Sequence, residues 1–202
     1  QVEGKIEAEY ANKKFGGKFT AALKNKLEFG EEAGSGKLTI LPNDTKVSAE
    51  VKDNDFKDIT FDLHAHYDKT GAPFQDPLKL DLKISRAGWD KTKGISGTGR
   101  IGLRAETKLA MGEGKATLLI KKESSLTGEI KNGELDSASG RFYFTADFQL
   151  AGQKVTVDGN VKGDYKKKGS SGEISGSLFA ELKTPISFEK GVNKFEVLKG
   201  TK

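Results

Sequence analysis

Cysteine is absent from this chain of 202 residues, and that one absence excludes disulfides, thiolate metal sites and cysteine nucleophiles. Histidine occurs only twice, so imidazole chemistry is confined to one stretch, "TFDLHAHYD" at 60–68. No run of about 18 apolar residues is present that could make a membrane helix, and no stretch sustains a helical period. The chain also lacks a G-x-S-x-G elbow, an H-E-x-x-H pair, a Walker loop and an EF-hand loop, the patterns that position a nucleophile, zinc, phosphate or calcium. "GISGTGRIG" at 94–102 has spaced glycines, but it opens onto a strand rather than a helix N-terminus that would hold phosphate, and it reads as a hairpin turn. Carboxylates such as Glu3, Glu7 and Glu9 share one face, as they do on any solvated strand. The sequence therefore predicts a protein that is not an enzyme and carries no cofactor.

Charge of one sign is not concentrated either. The 34 basic and 29 acidic residues give a net charge of +5 and are interspersed along the chain. The densest basic clusters, Lys13-Lys14 and Lys166 to Lys168, have no interleaved aromatics on which bases could stack, which argues against nucleic acid as a partner. Charged residues make up 31% of the chain and apolar ones 35%, so much of every element must face water.

What is present is strict alternation. Val2, Gly4, Ile6, Ala8 and Tyr10 oppose Glu3, Lys5, Glu7 and Glu9, and Phe142, Phe144, Ala146, Phe148 and Leu150 form the most apolar stripe. A period of two identifies half-buried strands. Turn signals punctuate them: "FGG" at 15–17, "GSG" at 34–36, "KDND" at 52–55, "KNG" at 131–133, "LAGQK" at 150–154 and "GSSG" at 169–172. Connections this short force antiparallel neighbours. The fold class expected is all-β, an antiparallel meander of about 13 strands, rolled into a barrel or a sandwich-like layer.

The stretches also resemble one another. "KVSAEVKDNDF" at 46–56 aligns without a gap to "SLTGEIKNGEL" at 125–135. "KFTAALKNKLEFG" at 18–30 aligns with "RIGLRAETKLAMG" at 100–112 and "SLFAELKTPISFE" at 177–189, making Phe19, Ile101 and Leu178 equivalent. "VEGKIEAEYANKK" at 2–14 matches "VDGNVKGDYKKKG" at 157–169, with "LDLKISRAGWDKTKG" at 80–94 as a version one residue longer. Tyr10, Trp89 and Tyr165 then occupy one position. The reading is a single β-repeat domain over 1–202, with units at approximately 1–77 and 78–153 and a half unit at 154–202.

Within 60–68 the apolar stripe is Phe61, Leu63, Ala65 and Tyr67, which leaves His64, His66, Asp62 and Asp68 on the polar face. Imidazoles two apart on one strand face can grip a metal; a solvated face looks the same. The aligned stretch keeps the apolar stripe and places Thr145 and Asp147 against His64 and His66, which favours the solvated face. "NDT" at 43–45 fits a glycosylation sequon.

Three functions fit a ribbon of one-sided strands. The favoured one is an exported structural or adhesive protein at the cell surface, a self-assembling subunit of a layer or filament. It would pair with its own kind, or with another cell-surface or host protein, through Val2, Ile6, Tyr10 and Trp89. The alternative is a β-barrel binding module for a lipophilic ligand, haem or host protein. The third is an outer-membrane β barrel, in which membrane contact is not favoured because four tyrosines and one tryptophan make a thin interfacial girdle.

Overall fold

The structure, a computed structural model, describes residues 1–30, 36–42, 44–112, 115–190 and 193–202. Among these residues strand dominates, at 75%, and there is no helix. The strands are β1 (Val2–Ala11), β2 (Lys14–Leu23), β3 (Leu27–Phe29), β4 (Lys37–Ile40), β5 (Lys46–Lys52), β6 (Asp55–Lys69), β7 (Leu78–Asp90), β8 (Gly94–Leu103), β9 (Thr107–Met111), β10 (Ala116–Ile120), β11 (Ser125–Lys131), β12 (Glu134–Leu150), β13 (Gln153–Lys168), β14 (Ser171–Leu182), β15 (Ile186–Lys190) and β16 (Asn193–Val197). Fourteen belong to one antiparallel sheet, and β15 pairs with β16 alone.

The hairpins follow from backbone chemistry. Asn12-Lys13, Asp53-Asn54, Asn132-Gly133 and Ala151-Gly152 are two-residue loops in which both residues have positive φ, the conformation whose twist matches that of the flanking strands. Asn54 locks two hairpin ends together: its Oδ1 accepts from Phe15 N at 2.7 Å and its Nδ2 donates to Lys13 O at 3.2 Å. Two turn expectations are corrected. Gly16 and Gly17 lie inside β2 rather than in a turn, because Asn12-Lys13 makes the reversal. Likewise 94–102 is strand, and the turn falls at 91–93, where Asp90 Oδ1 accepts from Thr92 N and Lys93 N at 2.8 and 2.7 Å. Gly34 and Ser35 of "GSG", and Asn43 of the sequon, lie outside the described residues.

Neighbours in the main layer run β1-β2-β5-β6-β7-β8-β11-β12-β13-β14. The long strands carry two neighbours along one side. β6 pairs with β5 over Asp55–Asp62 and with β4 over Ala65–Asp68; β12 pairs with β11 over Glu134–Arg141 and with β10 over Phe144–Phe148. Three hairpins share one register: Val2 faces Leu23, Leu80 faces Leu103 and Val157 faces Leu182. The extra residue in 80–94 is a bulge between Ser85 and Gly88, with Arg86 at φ 52°, where one strand gains a residue and twists.

The sheet does not close among the described residues, because β1 and β14 are each paired on one side only. Burial is confined to the end at which strands such as β2 and β14 finish. There Val155, Leu182 and Ile186 pack with Phe148 and Val157, and Ser187 N donates to Gln153 Oε1 at 3.0 Å to hold β15 against β13. The rest is a single layer. One face is ribbed with apolar side chains, and Ile59, Phe61, Leu63, Leu82, Trp89 and Ile101 line an open trough of ≈ 1000 Å³ on it. The other face carries polar cross-strand pairs such as Ser48 with Thr60, at 2.7 Å.

Candidate functional site

Two places gather unusual groups: the histidine pair and the open ends of the sheet. His64 and His66 project from β6 toward β7, where the pairing puts Lys83 opposite His64 and Asp81 opposite His66. His64 bridges two carboxylates, with Asp81 Oδ1 2.6 Å from Nε2 and Asp44 Oδ2 3.0 Å from Nδ1. His66 Nε2 lies 3.5 Å from the same Asp81 oxygen, and the two rings meet edge to face at 5.5 Å and 88°. The segment carrying Asp44 is held against the backbone of β6 by hydrogen bonds. Leu41 N donates to His64 O at 2.8 Å, and His64 N donates to Thr45 Oγ1 at 3.2 Å.

The electrostatics follow from partial burial. Loss of solvent pushes the His66 pKa below its ordinary value and the nearby Arg104 charge adds to this, against the opposing pull of Asp81. Burial also works to raise the Asp81 pKa. The hydrogen bond and charge of His64, with Lys83 behind them, outweigh it and hold the carboxyl below the usual range. Asp81 is thus a carboxylate and His66 a neutral ring at pH 7, the states in which each offers a lone pair.

The aspartates flanking the histidines in sequence are occupied elsewhere. Asp62 accepts from Arg86 N at 2.6 Å and pairs with Lys46 at 3.4 Å; Asp68 is ion-paired with Arg104, whose Nε donates to Leu80 O at 3.2 Å. Asp81 and Asp44 take their places, and neither is visible in the H-x-H spacing. The signal that could have found Asp81 is the alternation Lys79, Asp81, Lys83 on a strand that must pair with 60–68; what was missing was the register.

The second place is the pair of sheet ends. Val2, Ile6 and Tyr10 on β1 are 69%, 74% and 72% exposed, and Ile174 and Leu178 on β14 are 85% and 71% exposed, so no described residue covers this face at either end. Trp89 does not belong with them. It lies in the middle of the sheet, facing Ile59 and Ile95 and stacked on Phe56 at 5.7 Å and 22°.

The two edges are not alike. β2 takes β5 along Gly17–Ala22, and β8 takes β11 along Gly97–Gly102; the matching lane on β14, reached through the shared hairpin register, is Gly176–Glu181 and has no strand on it among the described residues. The mouth of each lane is formed in one way. Leu23 N donates to Thr45 O at 3.0 Å, Leu103 N to Ser124 O at 3.4 Å and Leu182 N to Thr201 O at 2.9 Å. No family model, no curated protein and no solved structure matches this chain.

Proposed function

We propose that this chain is a non-enzymatic structural protein that acts by edge-to-edge strand addition, as a self-assembling subunit of a cell-surface layer or filament. The observation that carries this reading is the pair of edges left unpaired among the described residues. Strands alternate in direction across the sheet, so β14 needs an antiparallel neighbour, and β1 of a second copy has that direction. Unpaired backbone groups on a regular edge are a template for another strand. Contact between two different edges is heterologous and gives open polymers rather than closed dimers. The apolar residues of both end strands would continue the ribbed face across the junction, where cross-strand apolar pairs each add a few tenths to about 1 kcal/mol. Purified protein viewed by negative-stain electron microscopy over a concentration series is expected to show ribbons one sheet wide; isolated particles at every concentration would overturn the reading.

A second reading rests on the apolar trough, whose volume of ≈ 1000 Å³ suits a lipophilic ligand. Under it, organic extraction of the purified protein releases a bound lipid or pigment in a fixed molar ratio. Extracts without one return the trough to the role of a ribbed contact face.

A further inference from the structure

We propose that His64, His66 and Asp81 form a binding site for a divalent transition-metal ion of the zinc class, with Asp44 fixing the ring of His64. The side-chain donors of the three residues lie within 4.8 Å of one another. An ion bonded at roughly 2.0–2.1 Å sets its ligand atoms about 3.3 Å apart in a tetrahedron. The two histidine nitrogens stand 2.6 and 3.5 Å from one Asp81 oxygen, a spread that brackets this value. Two adjacent antiparallel strands supply all three groups, and the face is open enough to leave a fourth position to water.

Two further observations favour a cation here over a self-satisfied polar cluster. The first is Asp44. Asp44 Oδ2 lies 3.0 Å from His64 Nδ1, so that when an ion displaces the proton His64 shares with Asp81 through Nε2, the proton kept on Nδ1 is held by Asp44 and the Nε2 lone pair faces the ion. A carboxylate behind a ligating imidazole is the usual outer partner of such metals.

The second is an internal control. β12 and β13 build the same backbone frame: Lys121 N donates to Tyr143 O at 2.9 Å, Tyr143 N to Ser124 Oγ at 2.9 Å, and Thr145 faces Asp158. In that frame Tyr143 stands level with His64 and Thr145 with His66. Asp158 there is neutralised by Lys121 at 3.4 Å and Lys183 at 3.9 Å. Among the described residues no lysine or arginine ion-pairs with Asp81; two histidines take that place. One frame thus carries its own cations, and the other carries metal ligands around a carboxylate without one.

Isothermal titration of the full chain with zinc chloride at pH 7.5 tests this. One ion per chain is expected, with affinity reduced at least tenfold by His66→Gln and by Asp81→Asn, about tenfold by Asp44→Asn, and not at all by Asp158→Asn. In the unsubstituted protein, cobalt(II) is expected to give intense visible bands of low coordination number, and zinc to shift the ring resonances of both histidines, readouts that hold even where a variant fails to fold. No saturable binding, unchanged affinity in His66→Gln and Asp81→Asn, or histidine resonances that ignore zinc would overturn the site.

Discussion

β14 and its counterparts inside the sheet, β2 and β8, differ in one respect. All three enter one register with the strand before them at the covered end, with Leu23, Leu103 and Leu182 at matching positions, β8 through a bulge in β7. β2 and β8 then have a second neighbour, and β14 has none among the described residues. The contrast separates what holds the chain together from what the chain can offer. Cohesion comes from the end where hairpins fold over the long strands, and the far part of β14 contributes hydrogen bonds to β13 and an uncovered face. Elements with few buried contacts open most readily, so the end strands combine low cohesion with the template for a new strand.

Substitutions along β14 and its neighbours sharpen this contrast. Leu182→Ala, at the covered end, removes a side chain packed with Val155 and Ile186 and is expected to cost roughly 2–5 kcal/mol in urea unfolding; Leu178→Ala, four residues away and 71% exposed, should change the monomer little. Next in size is Gly159→Ala. The Phe144 ring lies across Gly159, its cross-strand partner, so an added Cβ would sit 2.4 Å from the ring. The ring must leave its place, at about 1–3 kcal/mol, read as a lower thermal midpoint.

Smaller is the effect of acid on Asp158. The Thr145 hydroxyl bond, against the opposing effect of burial and with help from Lys121 and Lys183, holds its pKa below the ordinary value. A depressed carboxyl means the unfolded chain binds more protons in acid. Its contribution is therefore present above pH about 4 and is lost as pH falls through the folded value. Asp158→Asn is expected to lower stability at pH 7 by about 1 kcal/mol and to flatten the acid limb below pH 4, measured by urea midpoints between pH 2.5 and 7. Smallest is Ile6→Lys on β1, within about 0.5 kcal/mol for the monomer, because Ile6 is largely exposed; its effect belongs to assembly.

Much of this architecture is legible in the sequence, and the failures share one cause. The alternation of Val2 to Tyr10 and of Phe142 to Leu150 marks strands, and Asp53-Asn54, Asn132-Gly133 and Ala151-Gly152 mark hairpins, because both signals are local. Gly16-Gly17 misled because the reversal is made by Asn12 and Lys13 at positive φ, a conformation such residues adopt less readily than glycine. The sequence match of Phe19 with Ile101 is two residues from the pairing, which sets Ala21 level with Ile101. A slip of two keeps every side chain on its face, so a period-two pattern cannot detect it. The same blindness hid Asp81: which residue of 79–83 faces His66 depends on the bulge between Phe61 and Leu63, and no local pattern announces it. Whether the sheet closes depends on contacts between its most distant strands, for the same reason.

Heterologous strand addition makes one demand that no other use of these edges makes. Ile6→Lys places a charge beside the free edge of β1 and leaves β14 intact; Leu178→Lys does the reverse. Sedimentation velocity of each variant alone should give monomers, and an equimolar mixture should give dimers and nothing larger, since only one compatible pair of edges remains. Dimers of a single variant, or a mixture that stays monomeric where the unsubstituted chain polymerises, would contradict joining of β14 to β1, and an unsubstituted chain that stays monomeric throughout would contradict assembly itself.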